Sequence, residues 1–257
     1  MIPHVLHQMW FDKKDPDQDL PSDPTLNKLY SKYAQSWIDR HPDFTYTRWT
    51  GKLIKELWED PRLTLWKPFW DGHQGPHIEK CDVTRYAIMY LHGGIYADLD
   101  FYCEKGIESF LNRELFLVRE PDEQITGGKN CIHNGLIGSR TGHPIWAELM
   151  TYIIEHYAKH DKVVFRTGPW AFQTFYENSV YQYQEVLDSC LFVLYVWGKR
   201  RISQRCLRDD ITPYAWTKGV EGTGWDKDEH WLSEEGIIIL VGIIIFFLIV
   251  VGWKLLK

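Results

Sequence analysis

Asp98 and Asp100, which are separated by one residue, end a segment at residues 93–100 that begins with two glycines. Successive side chains of a β-strand alternate between its two faces, so the sequence predicts that both aspartates share a face with Tyr96. Neighbouring carboxylates repel each other unless a cation lies between them, and Mg²⁺ or Mn²⁺ accepts such oxygen ligands together with phosphate oxygens. The pair predicts a metal-bridged phosphate site, although two acids at an exposed strand end also occur without any ligand.

A helix must come before this strand. Across residues 80–92 apolar side chains recur at helical spacing, and the glycine pair at 93–94 is a typical stop signal. The sequence therefore predicts helix, glycine stop and strand in that order. Asp82 and Arg85 lie three residues apart near the helix start, where an N-cap and a surface ion pair form the structural alternative to ligand binding.

Three short motifs occur together and in order: Asp82-x-x-Arg85-Tyr86, Gly93-Gly94-Ile95-Tyr96 and Asp98-x-Asp100. Together they resemble the signature of the DXD sugar-binding glycosyltransferases, which include yeast initiating α-1,6-mannosyltransferases and inositol-phosphoceramide mannosyltransferases. Weaker likeness to this family occurs at residues 2–10, 37–49, 134–139, 143–146 and 167–169. The resemblance thus covers most of the chain before residue 225.

The resemblance implies an α/β fold of the GT-A type, with a Rossmann-like nucleotide-binding sheet. It implies hexose transfer with retention at the anomeric carbon, catalysed with Mn²⁺ or Mg²⁺. In such enzymes Asp100 is the expected main metal ligand, and Asp98 is shared between metal and sugar. The implied donor is a nucleotide sugar, with GDP-mannose favoured and a UDP-hexose as the alternative.

Four further residues receive roles from the same resemblance. Asp82 and Arg85 are expected to bind hydroxyl groups or phosphate of the donor, Trp10 to lie against the nucleotide base, and Asn134 to lie near the transferred sugar. Family members commonly carry a histidine close to their C-terminal Gly-Ser-Trp-like end, but residues 214–225 contain none. The third contact to metal or phosphate is therefore unassigned. Four residues could replace the missing histidine: Asp209, Asp210, Asp226 and His230. The alternative is that they are solvated loop residues without a role in binding.

Composition fits a folded enzyme with one appendage. The chain has 257 residues, 44% of them hydrophobic and 25% charged, and its net charge of −6 argues against nucleic acid as a partner. We predict a catalytic domain at residues 1–232 and a membrane anchor at 236–253.

The predicted anchor is an uncharged run of Ile, Leu, Val, Phe and Gly that is followed by Lys254 and Lys257. Its length and hydropathy predict a single transmembrane helix, with a buried helix as the alternative. Flanking charges favour a cytosolic C-terminus, whereas a tail anchor inserted after synthesis would leave the catalytic domain in the cytosol. In a eukaryotic host the expected membrane is of the Golgi or ER type, and the orientation stays open.

The five cysteines are an odd number without Cys-x-x-Cys spacing, which favours a reduced protein over a zinc site. One or two disulfides stay open as an alternative.

The predicted activity is transfer of a hexose, mannose favoured, to a membrane-associated glycolipid or glycan acceptor. The alternative is a catalytically inactive, membrane-tethered protein that binds nucleotide or glycan. A haloacid-dehalogenase-like phosphatase also uses Asp-x-Asp at a strand end, but the Phe-Tyr-Cys that follows Asp100 does not fit its pattern.

Overall fold

The structure is a computed structural model that describes residues 1–120, 131–192, 195–196, 201–202 and 213–217. Its strands are β1 (Val5–Met9), β2 (Thr45–Trp49), β3 (Gly94–Ala97), β4 (Phe101–Cys103), β5 (Leu115–Arg119), β6 (Ile132–Ser139), β7 (Val186–Leu187), β8 (Tyr195–Val196), β9 (Arg201–Ile202) and β10 (Ala215–Thr217). Its α-helices are α1 (Pro24–Arg40), α2 (Gly51–Leu57), α3 (Lys67–Gly72), α4 (His77–His92), α5 (Pro144–His156), α6 (Val163–Arg166), α7 (Pro169–Glu177) and α8 (Ser189–Phe192).

Six strands form one mixed sheet in the order β2-β1-β3-β6-β5-β7. Strand β1 runs parallel to β2 and β3, whereas β6 runs antiparallel to β3 and β5. Strand β3 therefore lies where the parallel half of the sheet meets the antiparallel half. Two antiparallel pairs, β4 with β10 and β8 with β9, lie outside this sheet. The predicted α/β class is confirmed.

Helices cover both faces of the main sheet. Tyr96 of β3 packs in a core with residues of α4, α5 and α7. Its neighbour Ile95 enters a second core, where Trp37 of α1 is fully buried. Adjacent residues of β3 thus face different cores, as strand alternation requires.

Helix α4 ends as its glycines predict. Gly93 has φ of 64° and its N–H donates to Met89 O at 3.0 Å, which closes the helix in a conformation that favours glycine. Gly94 has φ of 85°, and a Cβ there would lie 2.4 Å from Val5 O of the neighbouring strand. Every residue from Asp82 to Met89 is buried. The helix crosses the interior instead of presenting one apolar stripe, because later elements cover its polar positions.

Helix α1 fixes the chain that follows β3. Trp37 Nε1 donates to Phe101 O at 2.9 Å, and the Cys103 N–H donates to Ser36 Oγ at 2.9 Å. These bonds hold β4 against α1, away from the main sheet.

Two sequence-based expectations need correction in this part of the chain. The sequence pattern at residues 191–197 predicts a strand, but residues 191–192 belong to helix α8, and within the described residues of this run the strand covers Tyr195–Val196. A fully reduced chain was the simpler expectation, yet Cys190 is disulfide-bonded. Cys81, Cys103 and Cys131 are free thiols.

Within the described ranges, no helix combines the length and apolar character that a membrane crossing requires. The anchor predicted at 236–253, the Gly-Thr-Gly-Trp segment at 222–225 and the candidate substitutes Asp209, Asp210, Asp226 and His230 lie outside those ranges.

Buried His7 joins β1 to the glycine stop of α4. Its Nε2 lies 2.9 Å from Gly93 O, and its Nδ1 accepts a hydrogen bond from Trp49 Nε1 at 3.2 Å. Burial lowers the pKa of His7 from 6.5 to about 4, partly offset by the bond to Gly93. Below pH 6.5 the unfolded chain binds a proton that the folded protein excludes, so the stability decreases as the pH falls toward 4.

We expect His7 to account for a loss of up to about 3 kcal/mol of unfolding free energy between pH 6.5 and 4, at 1.36 kcal/mol per pH unit. Urea denaturation across this range should show a weaker pH dependence for His7→Gln than for the wild type. The control is His160→Gln, because His160 is exposed. Equal pH profiles for His7→Gln and the wild type would contradict the prediction.

Candidate functional site

Asp98 and Asp100 lie in a turn at the carboxyl end of β3. The strand ends at Ala97, and the Phe101 N–H donates to Asp98 O at 3.1 Å to close the turn. The prediction that both aspartates lie on the strand and share a face is therefore wrong. The strand ends here because contacts with the distant helix α1 hold β4 away from the main sheet. The chain must therefore bend between β3 and β4. The turn brings both carboxylates to the partly exposed end of the sheet.

The Asp98 carboxylate is held in one orientation. Tyr96 donates its hydroxyl to Asp98 Oδ1 at 2.8 Å, and Arg85 Nη1 donates to Oδ2 at 3.1 Å. The Asp98 N–H donates to Gly135 O at 2.7 Å, which ties the turn to β6. A third of the side chain stays exposed. Asp98 is thus both oriented by the protein and accessible to a ligand.

A buried polar network lies behind Asp98. Arg85 Nη2 lies 3.3 Å from Asp82 Oδ1, and Arg85 Nη1 donates to Asn134 O at 3.0 Å. Asn134 Nδ2 donates to Asp82 Oδ1 at 2.9 Å, and Thr167 Oγ1 donates to Asp82 Oδ2 at 2.8 Å. The predicted site residues Asp82, Arg85, Asp98 and Asn134 are therefore brought together. Thr167 belongs to the Thr-Gly-Pro stretch noted in the sequence, but had no predicted role.

Charge in this network is buried almost completely. Asp82 has no exposed surface, and burial raises its pKa to about 6 against the opposing effect of Arg85. Burial alone would lower the pKa of Arg85, but the charge of Asp98 raises it well above its usual value. Arg85 Nε is buried without a hydrogen-bond partner. The result is a permanent cation directly behind the exposed turn.

Gly135 lets the side chains of Asp98 and His133 approach the backbone of β6 closely. A Cβ at this position would lie 2.4 Å from Asp98 Oδ2 and 2.7 Å from His133 Cε1. Two polar side chains therefore converge on the volume that a larger residue would occupy. Glycine is required at this position for close approach and not for backbone conformation, since its φ is not positive.

Glu120 and His133 adjoin this site, although no sequence motif marked them. Burial and the charges of Asp100 and Asp98 raise the pKa of Glu120 to about 8. Burial lowers the pKa of His133 to about 3, with Arg85 adding to the effect. Glu120 directly follows β5, and His133 directly precedes Asn134. These positions are the only sequence features that could have drawn attention to the two residues.

Trp10 lies near the turn through a small apolar cluster. It packs against the cluster of Tyr30, Ala34 and Leu99, and its ring centroid lies 6.2 Å from that of Tyr30. Its Nε1 is buried without a hydrogen-bond partner. The predicted contact of Trp10 with a nucleotide base is compatible with this position and remains a prediction.

The carboxylates fit a divalent cation that a substrate helps to bind. Each carboxylate oxygen of Asp98 accepts a hydrogen bond from a protein side chain and has a second lone pair. Across the described ranges no group of three His, Cys, Asp or Glu side chains is arranged to bind a metal. Mg²⁺ is typically bound by one or two carboxylates together with water and substrate phosphates, so two aspartates are sufficient. The assignment of Asp98 and Asp100 as ligands remains a prediction.

Residues 27–117 match the family model described as a glycosyltransferase sugar-binding region containing a DXD motif. The chain thus resembles this family over about a third of its length. The match includes α4, β3 and the Asp98–Asp100 turn, which are the elements that build the site.

Two fungal proteins are among those to which this chain is similar. Inositol phosphoceramide mannosyltransferase 3 of Schizosaccharomyces pombe is 27% identical over 65% of this chain and 43% of its own length. Mannosyl phosphorylinositol ceramide synthase CSH1 of Saccharomyces cerevisiae is 29% identical over 65% of this chain and 39% of its own length. The chain thus spans less than half the length of these relatives.

Among solved structures, the PaToxG glycosyltransferase superposes with a TM-score of 0.51 at 16% identity. The match covers 70% of each chain. This likeness concerns the fold alone, and it confirms a mixed α/β fold of the glycosyltransferase kind.

Proposed function

We propose that this protein transfers a hexose, with mannose favoured, from a nucleotide-diphosphate sugar to a membrane-associated glycolipid or glycan. The observation that carries the proposal is the Asp98 carboxylate, oriented by Tyr96 and Arg85 in an accessible turn. A preorganised carboxylate of this kind reduces the reorganisation needed when a charged ligand binds.

The reaction breaks the bond between the anomeric carbon and the diphosphate, and negative charge grows on the leaving phosphate. A bound Mn²⁺ or Mg²⁺ supplies Lewis-acid stabilisation of that charge. Asp100 is the proposed main ligand and Asp98 the shared one. Arg85 holds Asp98 in place through its hydrogen bond to Oδ2, and its positive charge lies behind the proposed position of the leaving group.

The remaining predicted residues divide into two groups. Arg85 and Asn134 are the proposed contacts to the donor sugar or its phosphate, and Trp10 is the proposed contact to the base. Asp82 has no exposed surface, and its two oxygens accept bonds from Asn134 and Thr167. We therefore propose that Asp82 acts on the donor by positioning Asn134 and Arg85.

The donor and acceptor are proposed from the relatives. The names of these relatives specify mannosyl transfer and inositol phosphoceramide, which favours GDP-mannose as donor and a sphingolipid headgroup as acceptor. Transfer with retention is proposed from the family resemblance. A membrane location, with residues 236–253 as a single anchor, is proposed from the sequence and accords with a lipid acceptor.

Nucleotide release tests the proposal. The full chain is incubated in detergent with GDP-mannose, UDP-glucose or UDP-galactose, with Mn²⁺ or with EDTA, and with or without vesicles that contain inositol phosphoceramide. We expect release from one donor, faster with vesicles and abolished by EDTA. Metal-dependent nucleotide binding without release from any donor would instead support the inactive, membrane-tethered binding protein.

A further inference from the structure

The carboxyl ends of β1 and β3 lie side by side at one edge of the main sheet. The two strands pair in parallel, Trp10 directly follows β1, and Asp98 directly follows β3. In open α/β sheets, ligands bind in crevices outside the carboxyl ends of the strands. A ligand held at the Asp98–Asp100 turn can therefore extend along this edge to Trp10.

Tyr30 of helix α1 packs against both strand ends. It shares one apolar cluster with Leu99, the central residue of the Asp98–Asp100 turn, and with Trp10. The ring centroids of Tyr30 and Trp10 are 6.2 Å apart. Ala34, one helical turn further along α1, belongs to the same cluster, so the packing of α1 fixes the position of the Tyr30 ring.

The Tyr30 hydroxyl has no hydrogen-bond partner among the residues that the structure describes, although only 4% of the residue is exposed. Trp10 Nε1 is unpartnered as well, but unlike that atom the Tyr30 hydroxyl is not fully enclosed by protein. Buried polar groups are almost always hydrogen-bonded, so an exception in a crevice between strand ends favours ligand binding. Burial and the charges of Asp100 and Asp98 raise the pKa of Tyr30, so the hydroxyl keeps its proton.

The position of Tyr30 selects the part of the ligand that it meets. In the proposed function the diphosphate of the donor lies at the Asp98–Asp100 turn and the base lies against Trp10, and the ribose joins these two groups. A phenolic hydroxyl both donates and accepts a hydrogen bond, as a ribose hydroxyl does. We propose that the Tyr30 hydroxyl binds the nucleotide sugar through a hydrogen bond to a ribose hydroxyl. This inference rests on the nucleotide-binding part of the proposed function and not on the transfer step.

Tyr30→Phe tests the proposal, because it removes only the hydroxyl. Calorimetric titration in the presence of Mn²⁺ uses GDP or UDP, whichever the wild type binds more tightly, and the dideoxyribose analogue of the same nucleotide, which lacks both ribose hydroxyls. We expect Tyr30→Phe to weaken binding of the ribonucleotide about 3- to 10-fold, the range for one neutral hydrogen bond. The analogue should bind the two proteins within twofold of each other, because it has no hydroxyl for Tyr30 to contact. With the matching nucleotide sugar as substrate, KM should rise by the same factor and kcat should stay unchanged.

Urea denaturation separates this role from an effect on the fold. Tyr30→Phe should keep the urea midpoint of the wild type, since the lost hydroxyl bonds no described residue. Tyr176→Phe is the matched control, because the Tyr176 hydroxyl lies 3.0 Å from Gln182 O and 2.7 Å from Gln184 O. We expect the opposite pattern for this control, with a lowered urea midpoint and an unchanged nucleotide affinity.

The outcomes distinguish the inference from the proposed function. Equal affinity of the wild type and Tyr30→Phe for the ribonucleotide would overturn the inference, and so would an equal loss with the ribonucleotide and its analogue. A wild type that binds neither GDP nor UDP would reject the proposed function and this inference with it. The expected pattern for Tyr30→Phe in a protein that transfers no hexose would support the inference and reject the proposed activity alone.

Discussion

Asp100→Asn is expected to lower metal-dependent nucleotide release by at least about 100-fold, because it removes the charge of the proposed main metal ligand. The amide keeps the size of the carboxylate, so the turn after β3 should persist. Release from the preferred donor should be measured across a range of Mn²⁺ concentrations. A weakened ligand should also raise the Mn²⁺ concentration needed for half-maximal release.

Asp43→Asn is the matched control, since it makes the same change in charge at an exposed residue. We expect its release rate and its Mn²⁺ dependence to equal those of the wild type. Full activity of Asp100→Asn at wild-type Mn²⁺ concentrations would show that Asp100 does not bind the cation. The glycosyltransferase proposal would then need a different set of metal ligands.

Arg85→Ala is expected to destabilise the protein by about 3–5 kcal/mol, the usual cost of removing one partner from a buried ion pair. Asp82 would remain without exposed surface and without a neighbouring cation, and Asp98 would lose the donor to its Oδ2. Urea denaturation with a common m-value gives the difference in unfolding free energy. The control Arg62→Ala breaks a bidentate pair with Asp60 on the surface, where the Arg62 side chain is 56% exposed. Its effect should be within about 1 kcal/mol.

Arg85→Lys separates charge from geometry at the same position. Arg85 contacts Asp82, Asp98 and Asn134 O in different directions, which a single ammonium group cannot reproduce. We expect Arg85→Lys to be more stable than Arg85→Ala but still to lose most of its nucleotide release. Equal stability of Arg85→Ala and Arg62→Ala would contradict the buried network.

These variants address one arrangement, in which a buried cation and a tyrosine hydroxyl orient an accessible carboxylate. The Tyr96 ring packs in the core that contains α4. Asp98, two residues later, lies at the end of the same strand and is partly exposed to solvent. The chemistry of the turn therefore depends on the packing of α4 against β3. A stability defect in α4 and a catalytic defect at the turn are expected to occur together.

The sequence by itself determined the features that depend on neighbouring residues. Gly93 and Gly94 adopt positive φ, which other residues rarely do, so the end of α4 and the start of β3 could be predicted from the position of this glycine pair after an apolar helical pattern. The order and spacing of the aspartate motifs were sufficient for the family resemblance, which the match at residues 27–117 confirms.

Only the tertiary structure decided which side chains meet. Asp82 contacts Asn134 and Thr167, which are 52 and 85 residues away, and Glu120 reaches His133 because their strands pair. The turn at Asp98 likewise depends on Trp37, 64 residues from its partner Phe101. A strand pattern predicts alternation only while the strand continues, and here a distant helix ends it. Contacts between remote segments arise from packing of the whole sheet and its helices, and no local pattern encodes them.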